Sequence, residues 1–402
     1  MASVHRAEPS AREGEDAGRA RITWVDWLRV LAVVGVFLFH AVHPWDEFDW
    51  HIKAEEQSGG LTVVQAFFAT WGIAFFFLIA GAGTYLAMRW RSTGAFARER
   101  AMRLLVPFAV AWTVLGPVQS YLEETFNDRY DGSFLAFVPT FYSGAWHEFR
   151  ELGGPVPIPI DKTYHLWFLI FLFEFAMLAI PVAAWLRGEG GRRFIRSLGA
   201  DANRRGWVLL LGVPLAVLNI GIHGAPGDAH EWVEFGYYLT FFLAGYLVMS
   251  SGRLLQAIRR DVWLSMVFGA AGFAVLAITG APDFFDRYGA DAPYTPQAAW
   301  YFFGLYLQAW AWTMAALGVG MRLRPFGAPV PRTLGAATMP FFLLHQPVIL
   351  AVAFLVIPLA LGPGFELPTV VVASFVITVV LALAATELPG LSNALGVKRP
   401  VR

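Results

Sequence analysis

Four polar side chains stand on the first long apolar stretch of the chain: Asp26, Arg29, His40 and His43. Asp26 and Arg29 are three positions apart. Eleven helical steps at about 100° bring His40 back to within roughly 20° of Arg29, and His43 is one turn beyond. The four therefore draw a polar stripe on an otherwise apolar helix. Histidine titrates near neutrality, so His40 is suited to take a proton from a hydroxyl. Arg29 lies some 16 Å away along the axis, at about 1.5 Å per residue, near the opposite leaflet. The structural alternative makes Asp26 and Arg29 an anchoring ion pair and the histidines interfacial residues. A whole stripe on one face favours chemistry, because ionisable groups inside spans are costly and are functional candidates by default.

Other stretches add partners. His165 opens the run Tyr164-His165-Leu166-Trp167-Phe168-Leu169, at the same end as His40. His345 lies in Phe342-Leu343-Leu344-His345-Gln346-Pro347-Val348, where Pro347 frees a backbone carbonyl and permits a kink. Each alone serves equally well as a hydrogen-bonding group between helices. Arg98, Arg100 and Arg103 precede another apolar run. Cytoplasmic anchoring explains such a cluster, and guanidinium forks also match phosphates bidentately, as a donor such as coenzyme A would present. There is no cysteine and no Gly-x-Ser-x-Gly turn, so a covalent route lacks its usual nucleophile and direct transfer is expected. His40 and His43 without an acidic third ligand make a poor metal site, and no metal is expected.

These groups need elements to hold them, and the composition says which. Of 402 residues, 57% are hydrophobic and 15% charged, with 35 Phe and 16 Trp; the mean hydropathy is +0.52. A soluble domain averages about 25% charged residues. This chain lacks the charge to cover a water-facing surface, so a polytopic membrane protein is expected. Thirty basic residues balance thirty acidic ones, which removes the basic excess that nucleic-acid binding needs. Crossing about 30 Å of hydrocarbon takes roughly 20 apolar residues, and ten segments qualify: 24–42, 61–88, 104–122, 164–186, 207–222, 233–250, 263–280, 296–319, 334–361 and 367–385. Lipid leaves a spanning backbone only its own hydrogen bonds, so the fold class is an all-α helical bundle. Twenty-four of the basic residues fall in alternate loops and tails and five in the remaining loops, which places both termini in the cytoplasm. Residues 1–23 read as a disordered tail without the apolar core of a signal peptide, 24–385 as the membrane domain and 386–402 as a second cytoplasmic tail. The segment 123–163 combines acids with aromatics and three alternating prolines, a composition suited to sugar binding, and 134–142 reads as a short interfacial helix.

Five stretches, in order, resemble the acyltransferase 3 family of bacterial membrane acyltransferases, and in flavour its glucan-biosynthesis protein C-like subgroup. Asp26-Trp27-Leu28-Arg29 with His40 resembles the family's Arg-x10-His signature. Phe77-Leu78-Ile79-Ala80-Gly81 is similar to its small-residue turn, although Ala80 stands where Ser is frequent. Arg100-Ala101-Met102-Arg103-Leu104-Leu105-Val106-Pro107 is similar to its arginine cluster, and Tyr164–Leu169 and Leu344–Pro347 resemble two further blocks. The resemblance implies a cytoplasmic acyl-coenzyme A donor and an acceptor hydroxyl, usually on a carbohydrate of the cell envelope, in a bacterial inner membrane. It implies His40 as general base, Arg29 and Asp26 in support, Arg98, Arg100 and Arg103 on the donor phosphates, and His43, His165, Trp167 and His345 lining the acceptor side. The competing class is a transporter or flippase of a glycan or acyl intermediate. Buried ionisable groups suit both, but only an enzyme needs His40 as a base, and Glu174 is the one acid at mid-depth. The absence of an inverted pair of broken helices also weighs against transport.

Overall fold

The computed structural model describes residues 23–151, 163–223, 229–280, 295–323 and 329–397. Among them there is no strand. The helices are α1 (Thr23–Val42), α2 (Gly59–Ala69), α3 (Gly72–Met88), α4 (Thr93–Phe126), α5 (Phe134–Glu151), α6 (Trp167–Arg187), α7 (Glu189–Leu198), α8 (Trp207–Leu210), α9 (Gly212–His223), α10 (Ala229–Met249), α11 (Gly252–Arg260), α12 (Val262–Gly280), α13 (Pro296–Arg322), α14 (Arg332–Val356), α15 (Pro363–Glu387) and α16 (Pro389–Ala394). The helix expected at 134–142 is the start of α5. Residues 1–22 and 398–402 of the expected tails, and Pro155, Pro157 and Pro159, lie outside the described residues.

Among the described residues, eight stretches are long and apolar enough to cross a membrane, or nine if the pair α10 and α11, bent by 104°, counts as one. Two of the ten expected segments account for the difference. Trp207–Gly221 is a shorter apolar helix. It follows Gly206, whose left-handed φ of 77° only glycine adopts at no cost, and its N–H donates to Asp261 Oδ2. The segment near 233–250 ends where Ser251 caps a new helix by accepting from the Leu254 N–H. That helix, α11, buries Leu254, Ala257 and Ile258 and leaves Arg253 and Arg259 exposed.

Small residues set which helices touch. A Cβ at Gly81 would overlap the Phe242 carbonyl, and one at Gly245 would overlap the Leu78 carbonyl, so α3 and α10 cross backbone to backbone. This is how helices associate where lipid supplies no hydrophobic drive. α1 packs on α3, α13, α14 and α15. Its Phe37 is fully buried, 5.8 Å from the Phe341 ring and 5.3 Å from that of Phe375. This packing turns Arg29 toward Gly83 of α3 and His40 toward His345 of α14. α4, 34 residues long, carries Arg100 near one end and Glu123 near the other, roughly 35 Å apart along the helix.

Candidate active site

At one end of the bundle a cavity of about 580 Å³ is lined by Asp26 and Arg29 of α1, Glu99, Arg100 and Arg103 of α4, Arg91, and Arg332 of α14. Arg29 Nη1 is 3.2 Å from Asp26 Oδ1. Its guanidinium lies against Gly83, where a Cβ would overlap it, so α3 is notched at the point where Arg29 enters. Glu99 sits among the cations, 2.6 Å from Arg91 and 3.8 Å from Arg103. Arg100 lies over the Phe96 ring at 5.1 Å, and its Nε is buried without a hydrogen bond. An unmatched guanidinium N–H in a positively lined cavity is a feature that an anionic ligand would satisfy.

The inner wall of the cavity is formed by Phe168, Leu169 and Phe342, and behind it stand three histidines from three helical segments. His165 is 4.7 Å from His345, ring to ring, and His345 is 5.3 Å from His40. The Phe342 ring touches both His165, at 5.3 Å, and His345, at 5.7 Å. His345 Nδ1 is 2.6 Å from the Phe342 carbonyl. A carbonyl only accepts, so Nδ1 carries the proton and Nε2 holds the lone pair. That Nε2 and His40 Nδ1 are buried without hydrogen bonds. Tyr164, with a φ of 53°, takes the left-handed conformation uncommon for an aromatic residue, at the turn that feeds His165 into the cluster.

The family model of the acyltransferase 3 domain, described as an acyltransferase domain, matches residues 22–387. The chain belongs to that family. Comparison with curated proteins and comparison with solved structures each returned no match.

Measured against this acyltransferase, the expected residues separate into groups. Asp26, Arg29, Arg100 and Arg103 share the cavity, and His40, His165 and His345 share the cluster beyond it. Arg98 is exposed and outside the cavity lining. Trp167 turns away, stacking on Tyr238 at 5.7 Å and packing on Phe171 at 5.2 Å. His43 is 6.1 Å from His40, ring to ring, but its Nδ1 is committed to Asp46 Oδ2 at 2.7 Å. Among the described residues no group of three or more His, Asp or Glu is placed to hold a metal ion.

Sequence reasoning missed the loop after α1. Lys53 Nζ donates to the carbonyls of His43 and Asp46, each at 2.5 Å, and to Asp46 Oδ1 at 3.0 Å. Asp46 is fully buried and also accepts from the Phe48 N–H. Burial opposes ionisation of Asp46, but the hydrogen bonds and charges of His43 and Lys53 outweigh it and hold the carboxyl below its ordinary range. The loop so stitched lays Trp50 over the histidines, 5.6 Å from His43 at 18° and 6.3 Å from His40 at 23°. It also brings in His51, 2.8 Å from Glu123 Oε2 on α4. The clue available in the sequence was the cluster of Trp, His and Lys directly after a span that already carries two histidines.

Proposed function

We propose that this membrane acyltransferase moves a small acyl group, of the acetyl or succinyl class, from acyl-coenzyme A to a hydroxyl of a cell-envelope or exported carbohydrate in a bacterial inner membrane, with His40 as general base. One observation carries the reading: a single cavity leads from a set of arginines to the wall of a histidine cluster. The donor's phosphates would meet Arg29, Arg100 and Arg103, and its thioester would reach inward to Phe342 and the histidines. His40 would remove the acceptor's hydroxyl proton as the oxygen forms its bond to the acyl carbon. The carbon–sulfur bond then breaks, and the proton passes to the departing thiolate to give free coenzyme A. Both termini and the arginine end would face the cytoplasm, where the donor is found.

The test supplies the purified protein and His40→Ala with labelled acetyl- and succinyl-coenzyme A and a panel of envelope glycans. Ester-linked label on glycan is read by mass spectrometry. Removing a general base costs about 10²–10⁴-fold in rate, so transfer by the variant should fall by that amount while donor protection against thermal unfolding is kept. Equal transfer by both proteins would remove His40 from the role. No transfer and no donor protection would remove the reading itself.

A further inference from the structure

Glu123 and Gln346 reach His51 from two helices of different sequence neighbourhoods, and the hydrogen bonds between them fix its state. His51 Nδ1 is 2.8 Å from Glu123 Oε2. A carboxylate only accepts, so Nδ1 carries a proton and, in neutral His51, Nε2 is an acceptor. Gln346 Nε2 donates to that nitrogen at 3.0 Å. The amide's other end, Oε1, is buried, on a residue 1% exposed, against the His165 ring, with which Gln346 shares a side-chain hydrogen bond. An amide oxygen carries two lone pairs and His165 takes at most one of them, so the other can accept from a hydroxyl.

The surroundings are those of a ligand mouth. His51 and Glu123 keep about a fifth of their side-chain surface exposed, at 22% and 23%. Two aromatic faces flank His51: Trp50 at 5.2 Å and Tyr164 at 5.0 Å. The frame behind them is rigid. Asn127 Nδ2 donates both to the His51 carbonyl at 2.9 Å and to the Glu123 carbonyl at 2.8 Å, and Arg129 pairs with Glu123 at 3.3 Å and Glu124 at 2.8 Å. Gln346 is the neighbour of His345, so what binds its amide lies next to the histidine cluster.

We infer that Glu123, His51 and Gln346 form a positioning subsite for a polyhydroxylated acceptor, between the aromatic faces of Trp50 and Tyr164. This rests on the proposed transfer to a hydroxyl and adds the residues that orient it. One acceptor hydroxyl donates to Gln346 Oε1, and a second donates to the Glu123 carboxylate, holding the ring so that a third meets His40. Water, too small to make all three contacts at once, gains nothing from the subsite.

Because the chain has no cysteine, a thiol-reactive dye reads coenzyme A release without background. Full-length protein, Glu123→Gln, His51→Gln and Glu123→Asp are assayed with acetyl-coenzyme A and, as acceptor probes, glycerol, glucose and a linear glucan tetrasaccharide. Release without a probe reports hydrolysis. For Glu123→Gln and His51→Gln the acceptor KM should rise about tenfold or more, while donor KM, hydrolysis and kcat at saturating probe stay near wild type. Glu123→Asp, which keeps the charge, should recover part of the loss. Unchanged acceptor KM in both variants overturns the subsite and leaves the acyltransferase reading standing. A hundredfold fall in kcat with unchanged KM also overturns it, by making the pair part of the bond-making chemistry. Loss of donor protection in every variant would mark the residues as structural and likewise overturn it. If the wild type itself transfers to no probe, the hydroxyl-acceptor reading fails and the subsite fails with it.

Discussion

Gly83 decides whether Arg29 can lie in the arginine-lined cavity. A Cβ there would overlap the end of the arginine side chain, not backbone, so Gly83→Ala should move a flexible group at little cost in stability. The guanidinium would leave the cavity, and a charge-assisted phosphate contact would go with it. The expected outcome is a donor KM raised about tenfold with an unfolding temperature close to wild type, read by coenzyme A release and a thermal melt. At this scale His40, His165, His345 and Arg29 were legible because ionisable groups in apolar runs stand out. His51 was not, Glu123 stood only among the acids of the 123–163 segment, and Gln346 only as a member of the block at 344–347. His51 lies in a polar loop and Glu123 at a helix end, where polar residues are the default, and Gln346 carries no charge to mark it.

Two elements hold the site in shape. The loop of residues 43–58 hangs on Asp46, whose carboxyl is held below its ordinary range by His43 and Lys53. A group depressed in the folded state stabilises fully above its unfolded value, about pH 4 for aspartate, and loses that contribution as pH falls through the folded value. Wild-type unfolding temperature should therefore drop as the medium is acidified below about pH 4. Asp46→Asn should already be less stable at pH 7 and show a flatter profile through the same acid range, measured by thermal unfolding in detergent. The second element is the crossing of α3 with α10. At Gly245 an added methyl meets the Leu78 backbone carbonyl, which cannot swing aside, so Gly245→Ala should destabilise by about 1–3 kcal/mol. A melt of that variant beside Gly252→Ala, whose Cβ meets nothing within 4 Å, separates the crossing from general helix propensity. The helices themselves were readable from apolar run lengths. The break between α8 and α9, within the expected segment 207–222, was not, because an isolated glycine such as Gly212 in an apolar run is compatible with a continuous helix.

Across the whole molecule, the donor reading requires the arginine end to face the cytoplasm. The cysteine-free chain makes this directly measurable. Glu55 and Arg98 are both exposed, Glu55 in the loop that carries His51 and Arg98 at the arginine end of α4. With an impermeant maleimide on intact cells, Glu55→Cys should label and Arg98→Cys should label only after lysis. The reverse pattern would put the arginines outside and separate them from any cytoplasmic donor.

What the sequence alone determined was a helical membrane bundle, the polar stripe of α1 and the family blocks that span it. Each follows from local information: run length against bilayer thickness, and helical period against residue spacing. Which helices meet was decided only in three dimensions. Lipid tails are as apolar as the helix surfaces, so hydropathy shows that a segment enters the membrane but not what it packs on. Partner choice came from close contacts at Gly81, Gly83 and Gly245 and from polar links such as Arg187 to the Met88 carbonyl and Gln346 to His51. Those contacts gather His40, His165 and His345, from residues hundreds of positions apart, against one wall of the cavity.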